Sequence, residues 1–316
     1  MAVAGPAQDT TTTLTPEIKT FYDLTLLHRA VPNLIHTQFA QQRNIPGGSG
    51  RTIEFRRFGS LAAATTALTE GTVPSATAMA VSSVTATVAQ YGAFIQGSDL
   101  LELAAIDPIV QEYTEVLGEH AGDNIAQLVR DVMAAGTNVR YASTAGSRGG
   151  VGSGMTLTST EIRKAVRTLK AQNARPLANG NYVAIMHPNT EYDVYGDSTI
   201  QNAFHYAASR GAENPMFLGE LGSWMGCSFV QSTNAKIQAS LGLSGQDVYC
   251  SLFLGRDAYG VTEIDGMTLQ TYFKPKGSAG VADPLDQIWT LGWKTSLAAV
   301  ILNNAWLCRV EHVVSP

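Results

Sequence analysis

The sequence predicts a mixed α+β fold in which helices and strands do not alternate regularly. Three observations indicate this class. A window at 60–90 contains 20 Ala, Ser or Thr residues among its 31 positions, between two runs with strand patterning. A long amphipathic helix pattern follows at 107–135, and short strand-like runs dominate the chain after residue 182. A doubly wound parallel sheet would instead show strands and helices in regular alternation.

The window at 60–90 is the most informative segment, because it predicts a long hairpin arm with almost no core of its own. The run before it, 51–58, alternates apolar and charged residues, and the return run, 81–95, is rich in β-branched residues. Glu70 is the only charged residue in the window. Isolated two-stranded ribbons are marginal in water, and exposed edges pair with other chains. We therefore expect a neighbouring subunit to supply the surface on which the arm rests.

The remaining elements follow from periodicity and from capping signals. Residues 1–15 resemble a tail or an arm that a partner orders, and the pattern at 16–42 predicts a helix, a break at Pro32 and a second short helix. Asp107 and Pro108 form a helix-start signal for 107–135, and Gly136 a stop signal. The glycine-rich stretch 146–154 predicts a hinge or surface loop. We expect a helix from 158 with Ser or Thr capping, and strands at 182–186, 228–231, 248–254, 267–273 and 297–310.

Size and charge restrict the function classes. A chain of 316 residues with 45% hydrophobic residues can bury a real core, in two domains or in one with large insertions. The net charge of −5 argues against a protein that wraps nucleic acid by itself, although weak local contacts stay open. Arginine outnumbers lysine 14 to 7, and no lysine occurs between Lys19 and Lys164. Lysine-based covalent chemistry is therefore excluded from the arm.

Targeting and redox signals are weak. The first residues lack a basic region followed by an apolar one, so we expect no secretory signal, and no run of about 18 apolar residues predicts a membrane span. The cysteines are odd in number, far apart and in apolar surroundings. We interpret them as buried thiols in a reducing compartment rather than as a disulfide or a metal site. They are Cys227, Cys250 and Cys308.

Motifs that carry catalytic chemistry are missing from the sequence. The stretch 146–154 matches neither glycine-rich nucleotide-binding signature, and the chain has no G-x-S-x-G, H-E-x-x-H or C-x-x-C motif. The six histidines lack ligand spacing. His187, beside Glu191 and Asp193, resembles a catalytic site, but a strand end that caps a helix is the simpler interpretation. His120 is interpreted as a packing residue. We therefore predict a non-enzyme with no catalytic residue, no cofactor and no metal.

Arg56 and Arg57 at the base of the arm allow two interpretations. They form either a solvated strand face or ion pairs with carboxylates of a neighbouring subunit, for which the rigid guanidinium group is well suited. The need of the arm for a partner surface favours the second. Glu70 at the arm tip is a third candidate contact, with a different copy of the chain.

The order of these elements, together with several local motifs, resembles the major capsid proteins of tailed bacteriophages, and most of all the podovirus N-four-like capsid family. The likeness covers nearly the whole chain. The motifs that carry it are YVAIMHPN at 182–189, GCSFVQSTNAK at 226–236, LGRDAYG at 254–260, DPLDQ at 283–287 and GWK at 292–294.

This resemblance implies the Hong Kong-type capsid fold. Its parts would be an N-terminal arm at 1–50, an extended hairpin loop at 51–95, a peripheral domain with the spine helix at 96–157, an axial domain at 158–260 and peripheral return strands at 261–316. The extended loop would lie over the adjacent subunit. The glycine stretch near 150 could give one sequence the hinge freedom to build both pentamers and hexamers.

The sequence departs from the founding member of that fold in two ways. Some relatives weld their shells by an isopeptide bond between a loop lysine and an asparagine, and the lysine-free arm excludes this route, so Asn303 and Asn304 are ordinary strand or turn residues. Only about 50 residues precede the arm, so we expect a separate scaffolding protein instead of a cleaved scaffold segment. The other implied partners are the protein itself, a portal protein, a decoration protein and, by weak contacts, packaged double-stranded DNA, with no membrane.

Three functions from different classes remain to be weighed. The first is the major capsid protein of an icosahedral phage head, assembled in the cytoplasm of the host bacterium and located in the virion capsid. The second is an encapsulin-like bacterial nanocompartment shell that binds an enzyme cargo. The third is an α/β hydrolase or dehydrogenase, which the missing motifs disfavour.

Overall fold

The structure is a computed structural model that describes residues 34–59, 61–104, 109–177, 180–202, 223–280 and 283–316. Most of the predicted N-terminal arm and the helix predicted from residue 16 lie outside these ranges. The predicted helix-start signal at Asp107 and Pro108 also lies outside them.

Four α-helices have both ends in the described parts of the chain, and residues 198–202 are helical as well. The four are α1 (Asp99–Ala104), α2 (Ile109–Ala134), α3 (Ser159–Ala171) and α4 (Pro188–Gly196). With 26 residues, α2 is about 39 Å long at 1.5 Å per residue, which confirms the predicted long helix. The amide of Gly136 donates to the carbonyl of Met133 directly after its end.

Fourteen strands occur in the same parts of the chain, and in chain order they are β1 (Gln41–Ile45), β2 (Thr52–Phe58), β3 (Val81–Thr87), β4 (Ala89–Ser98), β5 (Val139–Tyr141), β6 (Tyr182–Met186), β7 (Ser223–Trp224), β8 (Cys227–Gln231), β9 (Ile237–Gln238), β10 (Val248–Leu254), β11 (Tyr259–Ile264), β12 (Gln270–Lys274), β13 (Ile288–Ile301) and β14 (Leu307–His312).

A five-stranded sheet is built around β13, the longest strand. β4 pairs with β13 along ten residues, from Ile288 opposite Ser98 to Leu297 opposite Ala89. On its other side β13 pairs with β12 and then with β11, and β1 joins β11 in parallel. The strand β4 therefore continues the arm directly into the body of the protein.

A seven-stranded sheet has the order β5-β14-β10-β6-β8-β7, with β9 paired to one end of β10. Its central strand β6 is buried at every position, as the uninterrupted apolar run at 182–186 predicts. The helix α3 covers one face of this sheet through an apolar stripe at helical spacing. The stripe consists of Ile162, Ala165, Val166 and Leu169, all buried.

The long helix α2 connects the cores of the two sheets. Near its start, Leu117 and Ala121 pack with Trp289 and Trp293 of β13. Two turns further on, the same stripe enters the core formed with the seven-stranded sheet. Its members there are Ile125, Val129 and Met133, which pack with Leu252, Leu254 and Tyr259.

Helix α3 begins where the sequence predicts, but its cap differs. Thr158 occupies the N-cap position without a side-chain hydrogen bond. Instead, the Asp197 carboxylate just after α4 accepts from the amide of Ser159 at 2.7 Å. Partial burial of the carboxyl, the largest single effect, raises the pKa of Asp197, but the hydrogen bonds from Ser159 and Thr199 together outweigh it, so the pKa is lowered. The expected Ser or Thr capping is therefore wrong, because a distant carboxylate supplies the acceptor.

The second short helix expected before residue 42 is reduced to one turn. A single 3₁₀ turn, Ile35–Thr37, is followed by β1. The polar residues of β1 are mostly exposed, and the strand exists because it pairs with β11 and buries Ile45. Tertiary pairing overrides local sequence preference here.

The single terminal strand expected at 297–310 is two strands in two different sheets. β13 ends at Ile301, and a 3₁₀ turn, Asn304–Trp306, leads into β14. The Asn303 side chain accepts from the amide of Ala305 at 3.1 Å and so fixes the turn, while Asn304 accepts from the amide of Thr137. Both asparagines are thus turn residues. β14 then pairs with β10 in the seven-stranded sheet.

Strand pairing crosses the segment boundaries that the resemblance implies, but it does not test whether the segments are domains. β11 spans the boundary between 158–260 and 261–316, and β14 shares a sheet with β6, β8 and β10. The division into domains therefore stays a prediction.

Candidate functional site

The base of the arm is a two-stranded ribbon that pairs with no other sheet. β2 and β3 form seven antiparallel pairs, from Thr52 opposite Thr87 to Phe58 opposite Val81. The amide of Gly59 donates to the carbonyl of Ala80 at 2.8 Å and extends the ribbon by one step. The predicted hairpin arm is confirmed.

One face of the ribbon is fixed to the body of its own subunit. Phe55 is buried, and Ala86 on the opposite strand is buried as well. Gly260 makes room for this contact, since a Cβ atom there would lie 3.1 Å from Cζ of Phe55. The guanidinium group of Arg43 lies 5.9 Å above the Phe55 ring. The arm therefore leaves the body in a defined direction.

The tip of the arm, residues 61–80, has no such support. Every residue of this segment is exposed, and no backbone hydrogen bond links it to the body of the chain. Its apolar side chains also face solvent, with Leu68 exposed by 77% and Val73 by 91%. Groups of exposed apolar side chains on a soluble protein commonly mark an interaction surface.

The three candidate contact residues lie in different surroundings. Arg56 is exposed and pairs with Glu54 of its own strand at 3.4 Å. The pKa of Glu54 is lowered by a hydrogen bond from Ser83 and then by Arg56. The Arg57 guanidinium lies 5.9 Å above the ring of Trp306, and Glu70 is exposed at the tip. The structure thus brings Arg57 to the body of the protein but leaves Glu70 apart, and their contacts with another copy stay a prediction.

Sequence reasoning missed a buried ionic cluster behind the glycine-rich loop. The Glu311 carboxylate on β14 is fully buried and accepts two hydrogen bonds from the Arg148 guanidinium, at 2.7 and 2.8 Å. Nε of Arg309 lies 2.9 Å from the same carboxylate. The hydrogen bonds from Arg148 raise the pKa of that guanidinium further. No sequence signal joins partners that are 163 positions apart.

An aromatic patch on the five-stranded sheet was also missed. Phe94 and Tyr272 flank Gly292 on neighbouring strands, and both rings are exposed, by 71% and 42%. The patch depends on the register of three strands, which local patterns do not provide.

The histidines and cysteines occupy structural positions. Nδ1 of His187 accepts from the amide of Asn189 at 3.1 Å, which confirms the strand end and helix cap. Nδ1 of His120 accepts from the Trp293 indole at 3.2 Å, in agreement with a packing role. All three cysteines are free and buried, and burial raises the pKa of Cys250 to about 11 and that of Cys308 to about 12.

Neither a metal site nor a membrane span was found in the described parts of the chain. No three His, Cys, Asp or Glu side chains there are grouped so that they could hold a metal ion. None of the helices in these parts has the length and apolar composition needed to cross a bilayer. The fully exposed arm segment 61–80 is the feature of the described structure that calls for a functional explanation.

Comparisons with solved structures show the fold. The chain resembles the capsid of Ralstonia phage GP4 with a TM-score of 0.67, at 14% identity and over 88% of each chain. It resembles the capsid of cyanophage Pam1 with a TM-score of 0.68, at 16% identity and over 90% of this chain and 92% of the other. A virus-like particle from Pyrococcus furiosus matches with a TM-score of 0.53, at 10% identity and over 93% and 99%. These likenesses confirm the predicted α+β Hong Kong-type capsid fold.

A comparison with curated protein sequences finds no match. The family model described as phage capsid protein matches residues 35–261, which is more than half of the chain and includes the arm, the long helix and most of the seven-stranded sheet. The predicted resemblance is thereby confirmed: the chain belongs to the phage capsid protein family and is a major capsid protein of the tailed-phage type.

Proposed function

We propose that copies of this chain form the pentamers and hexamers of an icosahedral phage head that encloses double-stranded DNA. The observation that carries the proposal is the arm, which is anchored at its base and wholly exposed over residues 61–80. A segment that buries nothing within its own subunit can reduce its exposed apolar surface only against another one. Ring-shaped assemblies with head-to-tail interfaces supply such a surface to every copy.

We assign roles to the segments in keeping with this assembly. Residues 1–50 act as the N-terminal arm, 51–95 as the extended loop over the adjacent subunit, and 96–157 together with 261–316 as the peripheral domain. Residues 158–260 form the axial domain at the centre of each ring, to which β14 contributes a strand. The loop around residue 150 adjusts the angle between neighbours, within the limits that the Arg148 anchor sets.

Charged groups on the arm add specificity to the contact. Arg56 is exposed by 68%, so its weak pair with Glu54 can exchange for a carboxylate of the neighbour. Arg57 and Glu70 offer the same opportunity at the base and at the tip. Such contacts fix the register of the arm on its neighbour more than they add affinity.

The proposal includes further partners and a location. A scaffolding protein guides assembly in the cytoplasm of the host bacterium, a portal protein occupies one vertex, and a decoration protein binds the finished shell in the virion. The family match supports self-association and a place in the virion capsid. The same membership supports a non-catalytic role.

Deletion of residues 61–80 tests the role of the arm. The deletion leaves Gly59 and Ser60 between Phe58 and Val81, which are paired residues in the ribbon. Gly-Ser is a suitable two-residue hairpin connection of type II′. Because the deleted residues are exposed and unbonded to the body, we expect a folded subunit with an unchanged circular dichroism spectrum and no stable shells in electron micrographs.

A pair of substitutions at the tip provides the matched control. Leu68→Ser with Val73→Ser removes the two most exposed large apolar side chains of the tip and should weaken assembly, whereas Leu68→Met with Val73→Ile keeps them apolar and should leave it intact. Normal shells from the deletion variant would contradict the proposed role of the arm.

The shell should be held together without covalent welds, because the arm contains no lysine. Boiling mature particles in detergent should release a single band of 33.6 kDa. A ladder of cross-linked species would show that another route to welding exists.

An encapsulin-like nanocompartment shell is the second candidate, since a virus-like particle from Pyrococcus furiosus shares the fold. Its TM-score of 0.53 is lower than the 0.67 and 0.68 of the two phage capsids. The contents of purified particles separate the candidates, because the first predicts DNA and the second an enzyme cargo.

A further inference from the structure

Helix α3 has a strongly basic outer face. Arg163, Arg167 and Lys170 are exposed on it at spacings of four and three residues, which places them on one side of the helix. They line a surface groove of about 790 Å³, together with Lys164 of the same helix and Met225. We call this surface the basic groove. Its three cations span about 10 Å along the helix, at 1.5 Å per residue.

The charges of the basic groove are not neutralised within the described part of the chain. None of the three exposed side chains, Arg163, Arg167 and Lys170, forms an ion pair or a hydrogen bond there. The one carboxylate of the same helix, Glu161, is buried and already engaged with Lys164 at 2.7 Å. The region thus concentrates free positive charge on a chain whose net charge is −5.

The basic character continues past the end of the helix. Arg175 is exposed four residues beyond α3, and its carbonyl accepts from the amide of Arg256 at 2.7 Å. Arg256 is 64% exposed and lies 3.6 Å from Asp257, its only carboxylate neighbour in the described structure. A second pair of guanidinium groups therefore extends the positive surface.

An ordinary solvated helix face does not account for this pattern. Exposed faces usually intersperse both signs, and opposite charges at i,i+4 stabilise a helix by about 0.2–0.5 kcal/mol per pair. In α3 the pairs Arg163 with Arg167 and Arg167 with Lys170 have like charges, which destabilise by similar amounts. The helix dipole favours cations in the last turn, which explains Lys170 but not Arg163 near the first.

We propose that the basic groove binds the phosphate backbone of double-stranded DNA, without sequence specificity. Guanidinium groups bind phosphates through paired hydrogen bonds, and DNA carries one charge per about 1.7 Å of its axis, so a duplex can meet all three cations at once. This inference rests on the proposed function, which places DNA inside the shell. It implies that the solvent-exposed face of α3 points towards the interior of the shell.

Each groove contributes a weak contact, and the shell repeats it in every subunit. Few cations per copy keep the affinity of one subunit low, which suits a container that must pack and release its DNA. Many weak contacts on one duplex hold it against the wall, since each binding event raises the effective concentration for the next.

The test compares two charge variants of the full chain, before assembly, with a 30-base-pair duplex of random sequence in fluorescence anisotropy. The first variant is Arg163→Gln, Arg167→Gln, Lys170→Gln. The control is Lys274→Gln, Lys276→Gln, Lys294→Gln, which removes the same charge from β12, the turn after it and β13, where only Lys276 is ion-paired in the described structure, with Glu102. We expect the groove variant to lower affinity at least tenfold at 50 mM salt. Its slope of log affinity against log salt should flatten by about 2–3, close to 0.9 per lost phosphate contact.

The outcomes separate the inference from its alternatives. A selective loss of DNA affinity in a groove variant that still forms shells supports it. Equal losses in both variants would reveal a net-charge effect and overturn it, as would unchanged DNA binding. Failure of the groove variant to assemble while it binds DNA normally would assign the groove to an acidic surface of a protein partner and would also overturn it. Failure of the wild-type chain to form shells even together with its scaffolding protein would refute the proposed function instead.

Discussion

The ionic cluster behind the glycine-rich loop gives a sharp prediction about stability. Glu311 is fully buried, and its carboxylate is shared by Arg148 and Arg309 at 2.7–2.9 Å. Arg148 belongs to the loop 146–154, whereas its partners belong to β14, so the cluster fixes the loop to the seven-stranded sheet. We predict that Arg148→Met destabilises the subunit substantially and that Glu311→Gln does so even more.

The magnitudes follow from what each substitution leaves behind. Removing one partner of a buried ion pair costs about 3–5 kcal/mol. Arg148→Met should cost less, about 2–3 kcal/mol, because Arg309 still neutralises the carboxylate and because Arg148 is 31% exposed. Glu311→Gln leaves two guanidinium groups facing each other without a carboxylate, so we expect a loss of about 4 kcal/mol.

Urea unfolding of the unassembled subunit, followed by tryptophan fluorescence, measures these losses. Arg56→Met is the matched control, because it removes an exposed pair and should change the free energy of unfolding by less than about 0.5 kcal/mol. The penalty of Arg148→Met should persist in 1 M NaCl, since salt screens buried pairs poorly. The reasoning would be refuted if Arg148→Met cost no more than the control. It would also be refuted if the cost of Arg148→Met disappeared in 1 M NaCl.

Three further predictions concern buried groups. Burial, followed by the nearby Arg130, lowers the pKa of His36 to about 4, so between pH 6.5 and 4 the unfolded chain binds a proton that the folded chain does not. Stability should therefore fall as the pH drops through this window, by about 2–3 kcal/mol for this histidine at pH 4.5, and His36→Phe should flatten the dependence in urea titrations at pH 7 and 4.5. Gly97→Ala would place a Cβ atom 2.2 Å from the Trp289 ring and should cost at least about 2 kcal/mol in thermal unfolding, whereas Gly146→Ala meets nothing within 4 Å and should be neutral. The three buried thiols should resist a thiol reagent in the native subunit and react fully in urea; rapid labelling of the native protein would contradict their burial.

The arm shows how far composition and periodicity reach. The alternation of Ile53 and Phe55 with charged neighbours predicts which face of β2 is buried, and the structure agrees. The lack of bulky and charged residues beyond it predicts an exposed tip. Both features are local, because a period of two and a missing core can be read from adjacent residues.

Elements that exist only through distant pairing escaped such reasoning. All residues of β1 except Ile45 are polar and follow no clear period, and they form a strand because β11 lies beside them. β11 itself contains strand-forming Val261, Thr262 and Ile264, a signal that could have been used. The break between β13 and β14 depends on Asn303, whose side-chain oxygen accepts from the amide of Ala305. Two adjacent asparagines are a turn signal, but the long apolar pattern around them concealed it.

The same distinction applies to the surfaces. The spacing of Arg163, Arg167 and Lys170 is visible in the sequence once α3 is assigned. That they form no ion pair within the described residues is not, because it depends on what the folded chain places around them. The Arg148–Glu311 pair and the aromatic patch at Phe94 require the sheet register, which is a property of the whole fold.

The central claim is that the exposed arm of one subunit rests on another in a closed shell. Cryo-electron microscopy of shells assembled from the full chain tests it most directly. We predict that residues 61–80 lie against the body of an adjacent copy, with Leu68 and Val73 buried at the contact. Shells in which this segment extends into solvent, or folds back on its own subunit, would contradict the account.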